Sequence, residues 1–89
     1  MSAFSPLEED ILDEVYFVSA YADIAESCGG DRPELQAAFK ALLQNGFIQQ
    51  LRFSDALGDY EKLETADLDQ VTQFHYVASK KGLLAHNSR

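Results

Sequence analysis

The sequence predicts a small α+β domain, and three observations carry that prediction. Tyr21 to Ile48 reads as two short amphipathic helices joined at Gly29-Gly30 and closed at Asn45-Gly46. An apolar stripe at helical spacing precedes them, at Leu7, Ile11, Leu12 and Val15. Two segments rich in β-branched and aromatic residues follow, Phe47 to Phe53 and Gln70 to Ala78. Three helices and a pair of strands are therefore expected.

Each element has its own local reason. Pro6 fits a first helical turn, with Ser5 as N-cap and the acids Glu8, Glu9 and Asp10 at the positive end of the helix dipole. Tyr16-Phe17-Val18 is aromatic and β-branched, so the helix is expected to give way to a short strand there. Ser19 then caps a second helix whose apolar face is Tyr21, Ile24, Ala25 and Cys28. Glycine takes the left-handed backbone of a tight turn at little steric cost, so Gly29-Gly30 ends that helix. Asp31 is the expected N-cap of the third helix and Pro33 belongs in its first turn. Leu35, Phe39, Leu42 and Leu43 form its buried stripe.

Between the two strands, Ser54 to Asp69 is acidic, has no clear period and is longer than most loops; its length predicts a helical turn around Tyr60 to Glu64. Ser79 caps a short final helix over Leu83 and Leu84. Tyr16, Phe39, Phe47 and Tyr76 are the aromatic residues expected in the core.

A chain of 89 residues forms one domain, 1–89, with its core from about residue 6 to residue 85. No apolar run approaches the ~20 residues of a membrane span. Met1 to Asp10 has neither basic residues nor the apolar stretch of a secretory signal. The single cysteine, Cys28, precludes an intramolecular disulfide and fits a reducing compartment. A cytoplasmic protein is expected.

Chemistry is excluded on similar grounds. Cys28 sits on an apolar helical face, as a buried inert thiol does, while His75 and His86 are far apart, so no zinc spacing exists. There is no nucleophile elbow, phosphate loop or dinucleotide fingerprint. The chain is expected to be non-catalytic, without a cofactor, metal or small-molecule site.

The net charge of −8 is unevenly spread. Residues 1–31 carry eight acids and no base. Residues 32–53 carry Arg32, Lys40 and Arg52 against Glu34. Residues 54–71 carry six acids against Lys62, and residues 72–89 carry Lys80, Lys81 and Arg89 with no acid. Positive charge thus falls on the third helix, the strand after it and the C-terminus.

Three segments, in this order, resemble the winged-helix (winged helix-turn-helix) superfamily of small bacterial transcription regulators. Ile24-Ala25-Glu26-Ser27-Cys28-Gly29 stands where such proteins often read L-A-x-x-L-G. Leu35, Phe39, Leu42, Gly46, Phe47 and Ile48 fit the spacing of their third helix, and Tyr76 to Gly82 is similar to the Y-x-L-T-x-K-G of their second wing strand. The resemblance covers roughly residues 7–84. It implies a three-helix core, a short strand after the first helix and a two-stranded wing. This chain departs from the pattern at Gly30, where an apolar turn residue is usual, and in its long acidic wing loop, about 54–69.

The resemblance implies DNA binding, commonly as a homodimer, with the helix from Asp31 to Asn45 reading base edges. Arg32, Gln36, Lys40 and Gln44 are its outward candidates, and Arg52, Lys80 and Lys81 are candidates for backbone or partner contacts. The charge argues the other way, because useful DNA binders neutralise about 6–10 phosphates. A protein-protein interaction module without DNA affinity is the alternative, with Leu57 and Tyr60 on the wing loop as its contact residues. Both readings stay open.

Overall fold

The computed structural model describes residues 4–87. The domain limits 1–89 and the charge of Arg89 extend outside the described residues. Ser5 caps the first helix, α1 (Pro6–Glu14), reciprocally: its hydroxyl accepts from the Glu8 amide, and its own amide donates to the Glu8 carboxylate. Ile11, Leu12 and Val15 are fully buried along the expected stripe.

The segment after α1 differs from its sequence reading. Strand β1 is Ser19–Ala20 rather than Tyr16 to Val18, and Tyr16, expected in the core, is 43% exposed. Val15 closes the helix and fills the core, so the chain has turned outward by Tyr16, whose hydroxyl donates to Asn87. Ser19 is not a helix cap; its hydroxyl donates to the carbonyls of Glu14 and Phe17 and fixes this turn. Helix α2 (Tyr21–Ser27) starts from Ala20 with no side-chain cap.

Gly29 and Gly30 take φ of +93° and +106° and end α2. Helix α3 (Pro33–Gln44) follows, with Arg32 at its N-cap, again without a side-chain cap. Asp31, expected there, has its carboxylate held elsewhere by Tyr21 and Gln36. Leu35, Phe39 and Leu42 are buried as expected, and Leu43 is half-buried.

Strand β2 (Ile48–Ser54) follows the turn at Asn45-Gly46. The acidic segment is not a loop with a helical turn. A four-residue turn ending at Gly58 leads into strand β3 (Asp59–Lys62), because Leu51 to Ser54 pairs in register with Asp59 to Lys62. The second wing strand is also shorter than expected. Only His75–Ala78 extends, as β4, while Leu68–Gln73 forms a 3-10 stretch capped by Asp67. The sheet is wholly antiparallel in the order β1-β4-β2-β3.

A buried polar contact explains why the 3-10 stretch sits against the sheet. The Tyr76 hydroxyl donates to the Val71 carbonyl at 2.6 Å and accepts from the Gln50 amide at 3.1 Å. Gln50 also bonds the Asp67 backbone at both ends, at 3.0 and 2.6 Å, so its buried amide is satisfied. The Tyr76 ring lies tilted at 4.7 Å from that of Phe39, which is itself 5.0 Å from the Tyr21 ring. Ile48, Tyr76 and Ala78 thus bring one sheet face into the helical core.

Helix α4 (Lys80–Asn87) is capped by Ser79, whose hydroxyl accepts from the Gly82 amide and donates to the Gly46 carbonyl. Leu83 packs on the core, whereas Leu84 is largely exposed. Phe47 is half-buried, with the Lys81 ammonium 4.7 Å over its ring. At the other end of α4, the buried His86 meets Asp13 of α1 at 2.6 Å. Among the described residues the fold is therefore α+β, with four α-helices and the 3-10 stretch on one antiparallel sheet. No helix among the described residues is long and apolar enough to cross a membrane.

A β-carbon at residue 82 would stand 1.9 Å from the Phe47 carbonyl oxygen. Gly82→Ala is expected to destabilise the fold by about 1–3 kcal/mol, read as a lower urea midpoint.

Burial pushes the Tyr76 phenol from 10.0 up to about 12, and it raises Tyr21 as well. Both phenols are neutral in the fold, so their contribution is intact below pH 10 and lost as pH rises through the folded values. For Tyr76 the loss is about 2–3 kcal/mol. Urea unfolding between about pH 9 and 12 should show this fall, and Tyr76→Phe should flatten it.

Candidate functional site

Four of the seven basic and polar residues expected to face a partner make side-chain contacts within the chain. Arg32 folds back on α2, donating to the Cys28 carbonyl at 3.2 Å with Glu34 3.7 Å away. Gln36 donates to Asp31 at 2.9 Å. Arg52 pairs with Glu61 across the β2-β3 hairpin at 2.9 Å. Lys81 donates to the Asn45 carbonyl at 2.6 Å, at the C-terminal end of α3, where a cation is favoured. Lys40 is half-buried on α3, Gln44 is exposed near its end and Lys80 is exposed at the start of α4. The α2-α3 turn and the end of α3 thus take up three of the seven, and the hairpin takes a fourth.

The two apolar candidates both lie in the β2-β3 hairpin, Leu57 in its turn and Tyr60 on β3. Side chains alternate along a pleated strand, so β2 sends Ile48 and Gln50 into the core and Gln49, Leu51 and Phe53 to the outer face. Register places Tyr60 opposite Phe53, both Lys62 and His75 opposite Leu51, and Val77 opposite Gln49. Ala20 of β1 lies opposite His75, which extends the face to the far edge strand.

Aromatic contacts organise this face. The rings of Phe53 and Tyr60 meet edge-on at 5.4 Å, and Tyr60 reaches over β2 to His75 at 4.8 Å. Leu51 lies between them and is 7% exposed although it is outside the core cluster, since these rings close over it. Phe53 remains 51% exposed and Tyr60 37%, and Leu57 in the hairpin turn is 67% exposed. Covering an apolar side chain of this size contributes about 1.5–3 kcal/mol.

The charged side chain that the register puts on this face is the exposed Lys62, while the carboxylates of β3 alternate away from it. Asp59 and Glu61 stand opposite Ser54 and Arg52, whose side chains alternate to the other side of β2. The Asp59 carboxylate turns onto the edge of β3 and accepts from the Tyr60 amide at 2.7 Å. Asp55 in the turn and Glu64 after β3 are exposed.

His75, Leu51 and Val77 were not singled out by the sequence. The period-2 alternation Phe47, Gln49, Leu51, Phe53 was a signal for a second apolar face, but only the register decides which side faces the core. A separate open groove of about 480 Å³ lies beside the α2-α3 turn, lined by residues including Tyr21, Ala25, Glu26, Asp31 and Thr72. No group of His, Cys, Asp and Glu that can hold a metal occurs among the described residues. Comparison with protein-family models, curated proteins and solved structures yields no match for this chain.

The Tyr21 hydroxyl, 2.6 Å from the Asp31 carboxylate, and the Gln36 amide hold that carboxyl below its usual range. Its contribution to stability is present above the ordinary carboxylate pKa and is lost as pH falls through the lowered value. Carboxyl NMR titration should find Asp31 among the last carboxylates to protonate, and Tyr21→Phe should shift it upward.

Proposed function

We propose that this chain is a winged-helix protein-interaction module of transcription-regulator type, and that it docks a protein partner on the outer face of its sheet. The observation that carries the reading is the exposed pair Phe53 and Tyr60, ordered by their ring contact yet open to solvent, with the exposed Leu57 in the turn of the same hairpin. Exposed aromatic clusters with a polar rim are characteristic of protein interfaces. The winged-helix part rests on the segment resemblances and on the order α1-β1-α2-α3-β2 with β4 between β1 and β2, β3 being an added strand within the wing.

Charge supports the protein reading over DNA. Arg32, Arg52 and Lys81 hold contacts within the chain, and the wing carries exposed acids. Phosphates meet few free cations and many carboxylates, which opposes binding. Lys40 and Gln44 on α3 favour DNA as the second reading, since neither side chain makes a hydrogen bond or ion pair among the described residues.

Fluorescence anisotropy with duplex DNA at low salt separates the two. The expected result is no saturable binding, together with a specific protein recovered by the immobilised chain and lost with Leu57→Ala/Tyr60→Ala. Salt-dependent DNA binding that Arg32→Ala/Lys40→Ala abolishes would overturn the protein reading.

A further inference from the structure

The sheet ends in two edges of unequal length. β1 has two residues and passes directly into α2, whereas β3 runs for four residues with no strand beyond it among the described residues. Leu63 donates to the Gln50 carbonyl of β2, so backbone groups point inward at Leu63 and Glu61 and outward at Lys62 and Tyr60. The outward Tyr60 amide is taken by the Asp59 carboxylate at 2.7 Å. The edge therefore offers one open donor, the Lys62 amide, and two acceptors, the carbonyls of Tyr60 and Lys62.

That pattern complements itself in one register. Two copies of β3 laid antiparallel about a two-fold at Glu61 set Tyr60 of each opposite Lys62 of the other. Each Lys62 amide then donates to a Tyr60 carbonyl, and the occupied Tyr60 amide is not needed. A two-fold at Tyr60 faces two occupied amides, and one at Lys62 sets two ammonium groups side by side.

The side chains select the same register. Lys62 is exposed and makes no side-chain hydrogen bond or ion pair among the described residues. Across the two-fold its ammonium lies over the exposed Tyr60 ring of the second copy. On the opposite side of the strand Glu61 meets Glu61, each already paired with its own Arg52 at 2.9 Å, so that row of four charges sums to zero. A foreign strand meets the same backbone groups, but the cation over each ring and the balanced row belong to this sequence paired with itself.

We propose that β3 is a self-association edge, on which a second copy of this chain pairs antiparallel about a two-fold at Glu61. Two four-stranded sheets then become one sheet of eight strands, with their outer faces side by side. The contact is short and each copy carries a net charge of −8, so the dimer is weak and dissociates on dilution. The proposal concerns the edge of the sheet and goes beyond the reading of its outer face, on which it does not rest.

Sedimentation equilibrium of the full chain over a dilution series measures the association, and NMR on a mixture of labelled and unlabelled chain locates it. The expected result is a monomer-dimer equilibrium with an intermolecular contact between the Glu61 α-protons, because α-carbons of a non-hydrogen-bonded antiparallel pair approach to about 4.5 Å. The Lys62 amide should gain protection from hydrogen exchange as concentration rises. Lys62→Pro removes that donor from both copies without touching the β2-β3 ladder, and should weaken the dimer about tenfold or more. Lys62→Glu keeps the donor and replaces the cation over Tyr60, and should weaken it about fivefold. A monomer spectrum unchanged away from β3 verifies both folds, and Lys62→Glu carries the test if Lys62→Pro unfolds.

A chain that stays monomeric at the highest concentration reached would overturn the proposal. So would a dimer without the Glu61 contact, or one that neither Lys62 variant weakens. In each case the outer-face reading stands or falls by its own test.

Discussion

The Tyr76 side chain is the contact on which the rest of this fold depends. Its ring joins the sheet to α3 through Phe39, and its hydroxyl joins the sheet to the 3-10 stretch through Val71 and Gln50. A buried hydroxyl and a buried amide are costly unless every bond is made. Here they satisfy each other and the Asp67 backbone, so the polar group fixes one arrangement of β2, β4 and the segment between β3 and β4. The helices then pack on the only sheet face that this arrangement presents to them.

That arrangement has a consequence for the other face. Gln50 points inward for its bond to Tyr76, and alternation then forces Gln49, Leu51 and Phe53 outward. The more apolar set of β2 side chains is on the outside as a result. Tyr60 and His75 partly cover it, and the remainder stays exposed. An apolar face that the core has no means to bury is the physical basis for reading this domain as a binding module.

The bases illustrate the opposite effect. Arg32, Arg52 and Lys81 had been candidates for an outside partner, yet each has an acceptor within reach in the chain. Exposed pairs of this kind are weak, worth about 1 kcal/mol or less, and they do not hold the fold together. Their effect is on the surface, since each turns a cation toward an acceptor of the chain itself.

The helices were legible in the sequence because their signals are local. The Ser5 cap, the stripes of α1, α2 and α3, the Gly29-Gly30 turn and the Ser79 cap each depend on residues within a turn or two of one another. Tyr16, Asp31, β3 and the start of β4 were misread because their placement depends on partners distant in the chain: Asn87, Tyr21, β2 and Gln50. Of the candidate face, Leu57 and Tyr60 were visible as apolar residues in a polar segment, while His75, Leu51 and Val77 were not. The sequence by itself determined where the four α-helices of the described residues lie and how much charge the chain carries. Only the tertiary structure decided which face of β2 is buried, because strand register is set by pairing across the sheet and by one buried hydrogen bond that no local pattern contains.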